Sequence, residues 1–254
     1  MKLTKKVNSL LGIEESINDK NILKAIILAG GPGSGKSFVI EQVIGKAGPV
    51  SGLGAVISAS DKFFEKGLEK LNIPLKFDDN NPELFKKQMD VREIAKATAQ
   101  TKLNSIIDGL LPLVLDGTGQ DLTKIKKQKK ALENIGYDVD MIFVNTSLEV
   151  AQERNRTRPR SLTPRVVQEL WDTVQNNLGE FQSIFGKTRF HLVDNSKTLE
   201  GSDFKTFKAK MFKMGMSILN EPVKNPKGRA LTQALKSVNG KYLSDLSKLP
   251  DVPV

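Results

Sequence analysis

Residues 30–37, GGPGSGKS, combine glycines with one lysine and a final serine. They match the pattern G-x-x-x-x-G-K-[ST], in which glycines permit backbone angles that turn successive N–H groups towards one anion. A helix that begins at such a loop adds the partial positive charge of its N-terminus. The pattern therefore predicts a cradle for the phosphate chain of a nucleoside triphosphate, which we expect to be ATP with magnesium.

Individual residues of this loop have expected roles. Lys36 is expected to reach the β- and γ-phosphates, and the Ser37 hydroxyl is expected to be a ligand of Mg²⁺. The alternative, a glycine-rich turn that binds nothing, is disfavoured because the loop lies between an apolar strand pattern and a helix pattern. The residues that we expect to contact the nucleotide here are Gly31, Gly33, Ser34, Gly35, Lys36, Ser37 and Phe38.

Two aspartates follow apolar runs that are typical of strands. Asp61, in VISASDKF, is expected to accept a proton from an attacking hydroxyl or to position that hydroxyl, unless it only caps the next helix. Asp116, in LPLVLDG, is expected to hold Mg²⁺ or to bind substrate, unless it only stabilises a turn. The chemistry that both predict is phosphoryl transfer to an alcohol.

Four arginines, at positions 154, 156, 158 and 160, lie within the segment ERNRTRPRS between two predicted helices. Phosphoryl transfer builds negative charge on the equatorial oxygens, and a lid of arginines neutralises that charge and excludes water. Because helix C-termini also favour cations, one or two of the four are expected to do only that. Arg158 is among those that we expect to bind the nucleotide.

Five strand patterns alternate with helix patterns along the chain and predict a parallel sheet with helices on both faces. The predicted strands are residues 24–30, 54–60, 111–117, 137–145 and 189–195. One helix is predicted from a Thr163 cap and Pro164 to Phe185, with Trp171 on its apolar face as a core residue. Ligands of such sheets bind beyond the carboxyl ends of the strands.

Composition limits the class of protein. The 254 residues contain no cysteine and one histidine, His191, which excludes disulfides and Cys- or His-rich metal centres. We find no signal peptide and no run near the roughly 18 apolar residues that cross a bilayer. A soluble cytoplasmic protein without a membrane partner is therefore expected.

The net charge of +10 favours anionic partners, and residues 201–254 carry ten Lys or Arg against four Asp or Glu. This end is either a solvated surface or a tail that contacts protein or nucleic acid. The predicted organisation is an N-terminal extension (1–22), an α/β P-loop NTPase core of the kinase type with a five-stranded parallel sheet (23–200), and a basic C-terminal extension with a helix and an irregular tail (201–254).

The motifs resemble those of zeta-toxin-like and polynucleotide-kinase-like P-loop kinases over about residues 24–195. The segments that carry the resemblance are GGPGSGKS, SASDKF, LDGTGQD and ERNRTRPRSLTPRVVQELWDTVQNNLGEF. The resemblance implies that Asp61 is the catalytic base, that Arg154 and Arg160 are lid arginines on ATP, and that Asp116 and Thr118 face the substrate. The chain departs from the zeta pattern on the substrate side, so ATP chemistry is implied more firmly than a sugar-nucleotide substrate. The departures are Ala59 for an acid, Asp116 for glutamate and Gln120 for arginine.

The leading hypothesis is an ATP- and Mg²⁺-dependent kinase that phosphorylates a hydroxyl of a small metabolite or nucleotide-sugar. A polynucleotide 5′-hydroxyl kinase is the alternative that the basic charge favours, although no aromatic residues interleave the lysine run at 124–130 to stack bases. An alternative of another class is a partner-dependent ATP-binding protein or ATPase that docks through its tail. Asp61 and the arginine segment count against it.

Overall fold

The computed structural model describes residues 21–47, 50–75, 81–158 and 161–237. The strands in these ranges are β1 (Lys24–Ala29), β2 (Lys46–Ala47), β3 (Val50–Ser51), β4 (Val56–Ser58), β5 (Leu113–Asp116), β6 (Asp138–Asn145) and β7 (Phe190–Asp194). The helices in the same ranges are α1 (Lys36–Val43), α2 (Ser60–Lys70), α3 (Pro82–Asp108), α4 (Leu122–Ile135), α5 (Leu148–Arg156), α6 (Pro164–Asn176), α7 (Leu178–Arg189), α8 (Gly201–Leu219) and α9 (Pro226–Ser237).

Five of the strands form one parallel sheet in the order β4-β5-β1-β6-β7, which confirms the predicted α/β P-loop architecture. The central strand β1 is buried along its whole length because both faces of the sheet are covered. One face packs against α3, α4 and α7, and the other packs against α1 and α8. The carboxyl ends of β1, β4 and β5 consequently meet at one edge, where a ligand site is expected.

The predicted helix from Thr163 to Phe185 is two helices, α6 and α7, which meet at Asn177. The cap is as predicted, because the Thr163 side chain accepts a hydrogen bond from the N–H of Val166. At the break, the Asn177 amide donates to the carbonyl oxygens of Gly119 (2.9 Å) and Gln120 (3.1 Å). The apolar spacing continues through the break, so periodicity alone predicted one helix.

A short antiparallel pair, β2 and β3, follows α1 and has no counterpart in the sequence prediction. Each of its strands has two residues, which is too short to give an alternating pattern. In the described part of the chain, no helix is both long and apolar enough to cross a bilayer.

The two C-terminal helices rest on the sheet domain. Helix α8 buries Met211, Ile218 and Leu219 against the core that contains α1. Helix α9 reaches α4, where Gly228 lies directly against Gly136. The predicted irregular tail after residue 237 and residues 1–20 of the predicted N-terminal extension lie outside the described residues, and the predicted domain boundary at residue 200 stays a prediction.

Candidate active site

The glycine loop joins β1 to α1 and is clamped from two sides. Gly33 and Gly35 have left-handed φ angles of +74° and +83°, which glycine adopts without cost. A Cβ at Gly33 would overlap the carbonyl oxygen of Ala151 in α5, and a Cβ at Gly35 would overlap the side-chain amide of Asn195. The loop therefore needs glycine at both positions, and its shape depends on α5 and on the residue that follows β7.

Lys36 is the first residue of α1 and folds back over the loop. Its Nζ donates to the carbonyl oxygens of Gly30 (2.7 Å) and Gly31 (3.1 Å). Burial lowers the pKa of Lys36, the charge of Asp116 raises it, that of Arg158 lowers it and that of Asp61 raises it. A phosphate oxygen is a stronger partner for a buried ammonium than a neutral carbonyl. The ammonium thus lies beside the loop, where a phosphate chain would contact it.

Two carboxylates lie near Lys36, on the β5–β4 side of β1. Asp116 ends β5, and burial raises its pKa while the charge of Lys36 lowers it and that of Asp61 raises it. Asp61 lies exposed in the first turn of α2 and is not the cap of that helix, which is Ala59. Lys36, Asp61 and Asp116 thus lie together at the carboxyl ends of the adjacent strands β1, β4 and β5.

Thr118 lies in the loop after β5, beside the glycine loop. Its carbonyl oxygen accepts a hydrogen bond from the N–H of Gly30 (3.1 Å). Asp116, Thr118, Asp121 and Lys124 line a cleft at this end of β5. Burial lowers the pKa of Lys124, and the charge of Asp121 acts in the opposite direction. Asp121 and Lys124 were not predicted as site residues, although their place in the first turn of the helix after DGTG was an available signal.

The predicted arginines differ in position. The Nη1 of Arg154 donates to the carbonyl oxygen of Asn195 (2.8 Å) and lies 3.7 Å from where a Cβ of Gly35 would be. Arg158 is close enough to Lys36 for its charge to lower the pKa of that lysine. Arg156 points away and pairs with Glu153, with 69 % of its side chain exposed. Arg160 lies outside the described residues.

Two residues beside the loop were not predicted as part of the site. Asn195 donates from Nδ2 to the carbonyl oxygen of Ser34 (2.8 Å), and its place directly after the fifth strand was the available signal. Trp171, interpreted from the sequence as core, is half-buried, and its Nε1 donates to the carbonyl oxygen of Thr146 (2.8 Å). Its ring lies 3.7 Å from where a Cβ of Gly31 would be. No sequence signal distinguished this position from an ordinary core position.

The residues present fit a nucleoside triphosphate with magnesium. The buried Ser34 hydroxyl has no hydrogen-bond partner, and the first N–H groups of α1 have none within the helix. The hydroxyl of the exposed Ser37 and the carboxylate of Asp116 are hard oxygen ligands, which Mg²⁺ prefers. The described residues contain no group of three or more His, Asp or Glu that would hold a metal by itself. A magnesium ion here would therefore also need phosphate oxygens.

The family model described as Zeta toxin matches residues 9–194. The chain belongs to the zeta toxin family. The zeta toxin family has the P-loop NTPase fold. Membership of it supports the conclusion that this chain is a P-loop phosphotransferase, and it implies the use of ATP and magnesium. A search of curated proteins found no significant match.

Solved structures are similar to this chain at low sequence identity. A structure of the PezAT chromosomal toxin–antitoxin system of Streptococcus pneumoniae is 17 % identical, with 96 % of this chain and 94 % of that chain covered and a TM-score of 0.50. A gluconokinase from Sinorhizobium meliloti 1021 is 16 % identical, with 86 % and 98 % covered and a TM-score of 0.43. The Pnkp1/Rnl/Hen1 RNA repair complex is 16 % identical, with 65 % and 48 % covered and a TM-score of 0.46. At these identities the likeness describes the fold alone.

Proposed function

We propose that the chain transfers the γ-phosphate of ATP to a hydroxyl of a small metabolite or nucleotide-sugar. The observation that supports this most directly is the group formed by Lys36, Asp61 and Asp116, which lie at the carboxyl ends of the adjacent strands β1, β4 and β5, beside the glycine loop. It combines a cation for the phosphate chain, a carboxylate for the metal and a second carboxylate for the acceptor. Phosphoryl transfer needs these three parts and little other chemistry from the protein.

The glycine loop and Lys36 hold the nucleotide in this proposal. Lys36 exchanges its hydrogen bonds to the carbonyl oxygens of Gly30 and Gly31 for phosphate oxygens. Ser37 and Asp116 hold the metal. When bound, ATP supplies the reactive phosphoryl group and Mg²⁺ neutralises its charge. Arg154 donates to developing negative charge from its position over Gly35.

Asp61 is the proposed general base. Its exposed position in the first turn of α2 leaves the carboxylate accessible to an acceptor hydroxyl. It removes the proton of that hydroxyl as the oxygen attacks the γ-phosphorus, the bond from that phosphorus to the bridging oxygen breaks, and ADP leaves. Thr118, Asp121 and Lys124 line the adjoining cleft. The Thr118 hydroxyl and the Lys124 ammonium offer hydrogen bonds to a hydroxylated acceptor, whereas the Asp121 carboxylate caps α4 by accepting the N–H of Lys124.

The test is transfer of labelled γ-phosphate to a panel of nucleotide-sugars, nucleosides and 5′-hydroxyl oligonucleotides, with wild type and Asp61→Asn. We expect transfer to a small acceptor, and a loss of about 10²- to 10⁴-fold in the variant with ATP binding retained, because only the base is removed. Glu83→Gln, which neutralises an acid in the first turn of α3, is the matched control and should retain activity.

Two outcomes would contradict this proposal in different ways. Transfer only to oligonucleotides would favour the polynucleotide kinase, for which the net charge of +10 is the supporting observation. ATP hydrolysis that Asp61→Asn leaves unchanged, with no transfer to any acceptor, would favour a partner-dependent ATPase.

A further inference from the structure

Three phenylalanines stack beside the glycine loop, and we call them the aromatic cluster: Phe38, Phe204 and Phe207. Phe38 lies in the first turn of α1, two residues after Lys36, and the other two lie in the first turns of α8. The ring centroid of Phe38 is 5.9 Å from that of Phe204 and 6.0 Å from that of Phe207, with interplanar angles of 20° and 9°. All three side chains are only partly buried, so part of each is exposed to solvent.

A nucleotide bound on the glycine loop would extend towards this cluster. The sheet order is β4-β5-β1-β6-β7, and the carboxylates of Asp61 and Asp116 follow β4 and β5. The terminal phosphate of a nucleotide on the loop after β1 must face that side for transfer to occur. Its nucleoside end consequently extends towards β6 and β7, the side where Asn195 contacts the loop and α8 begins.

Packing of α8 on α1 positions the cluster, and Phe38 and Phe207 pack against the core between the two helices, but the closest contacts between the helices are aliphatic. Val39, Val43, Met211 and Ile218 are almost fully buried between the two helices and the sheet. At Gly215 the helices approach so closely that a Cβ would overlap the carbonyl oxygen of Val43. These aliphatic contacts therefore hold α8 in place. The three rings lie at the end of this contact surface, where the glycine loop meets α1.

We propose that the aromatic cluster binds the adenine ring of ATP by stacking. This inference rests on the proposed function, because it needs the triphosphate on the glycine loop. Base–aromatic stacking strengthens binding by about fivefold to more than a hundredfold per base. The Nζ of Lys208 lies over the ring of Phe204, 5.3 Å from its centroid, and adds a cation to the stack. Phe204 and Phe207 lie beyond residues 9–194, which the family model covers, so the base contact would be a feature of this chain.

The test compares the dissociation constants of ATP and inorganic tripolyphosphate by titration calorimetry with Mg²⁺. Tripolyphosphate has the anionic chain without the base. We expect Phe204→Ala and Phe207→Ala each to weaken ATP binding about tenfold, as 1.4 kcal/mol of lost stacking would, and to leave tripolyphosphate binding unchanged. Phe204→Leu separates stacking from packing, because leucine keeps an apolar side chain without an aromatic face.

Phe212→Ala is the matched control. Phe212 lies on the same helix, is 38 % exposed and contacts Gly45 instead of the cluster, so ATP binding should not change. Equal loss of ATP and tripolyphosphate binding in Phe204→Ala, or no loss of either, would overturn the proposal. The proposal would also be overturned if the wild-type chain bound ATP no more tightly than tripolyphosphate. Absence of any ATP binding by the wild-type chain would instead overturn the proposed function, and this inference with it.

Discussion

Lys36 and Asp116 lie close enough for the charge of each to influence the pKa of the other, and burial makes the charged form of each unfavourable in the ligand-free protein. Burial is the largest influence on both groups, and it lowers the pKa of the lysine and raises the pKa of the aspartate. Each shift favours the neutral form, although the two charges attract. A bound phosphate chain and metal would supply the partners that these groups lack, so ligand binding is expected to offset the cost.

Asp116→Asn should therefore stabilise the ligand-free protein at neutral pH. A raised pKa means that the carboxyl contributes stability when protonated, below its ordinary value of 3.8, and loses that contribution as the pH rises through the folded-state pKa. The free energy of unfolding of the variant should exceed that of the wild type at about pH 7, and the difference should shrink at about pH 4. Urea denaturation without nucleotide measures this.

Asp90→Asn, at an exposed position of α3, is the control for a generic charge effect and should change the free energy of unfolding at neutral pH by less than about 0.5 kcal/mol. An Asp116→Asn variant that is less stable than the wild type at neutral pH would show that the attraction to Lys36 outweighs burial.

At the scale of the element, α5 directs the two arginines of its last turn, Arg154 and Arg156, to different sides of the helix. Residues two apart on a helix project to nearly opposite sides. The guanidinium of Arg154 accordingly lies on the glycine loop and bonds to Asn195, whereas Arg156 pairs with Glu153 at the surface. The residue types alone did not distinguish the four arginines, although the resemblance implied a lid role for Arg154 and none for Arg156. The phase of α5 shows which of these two lies at the glycine loop.

Arg154→Ala should reduce the affinity for ATP and the rate of transfer, each by about tenfold or more, because it removes a cation beside the phosphate loop. Arg156→Ala should leave both within about twofold, because an exposed ion pair contributes little. Calorimetric ATP titration and steady-state kinetics on the two variants measure this. Equal losses in both variants would contradict the assignment of Arg154 to the site.

At the scale of the whole molecule, a buried ionic network ties the C-terminal segment to the sheet, at the end opposite the candidate active site. Lys24, which begins β1, is buried and its Nζ lies 2.7 Å from Oδ2 of Asp138, which begins β6. Asp138 also accepts the backbone N–H groups of Lys224 (2.8 Å) and Asn225 (2.9 Å) and a bond from Arg189 (3.0 Å). The Asp138 carboxylate thus links β1 and β6 to the segment that leads into α9.

Asp138→Ala should lower the free energy of unfolding by about 3–5 kcal/mol, because it leaves the Lys24 ammonium buried without its partner. Burial alone would raise the pKa of Asp138, but the hydrogen bonds from Lys24 and Lys224 and the charges of Lys24 and Arg189 lower it overall. Its contribution is therefore present above the ordinary value of 3.8 and is lost as the pH falls through the lower folded-state pKa.

Urea denaturation at neutral and acidic pH tests the Asp138 prediction. Glu180→Ala removes the exposed pair with Lys126 and should cost less than about 1 kcal/mol, so it is the control for an ordinary ion pair. A loss in Asp138→Ala no larger than this control would mean that the network does not stabilise the fold.

The sequence by itself determined the sheet and the phosphate loop. The apolar runs, the glycine spacing and the Thr163 cap are local patterns, and short-range sterics and hydrogen bonds decide what they form. The rule that ligands bind at the carboxyl ends of parallel strands then predicted where Asp61 and Asp116 lie. Their roles in catalysis stay predictions.

Only the tertiary structure decided which distant residues complete the site and the core. Asn195 binds the Ser34 carbonyl across 161 residues of sequence, and Lys24 pairs with Asp138 across 114. Phe38 stacks on Phe204 because α8 packs on α1. Contacts of this kind depend on how helices pack on the sheet, and no local pattern of residues specifies that packing.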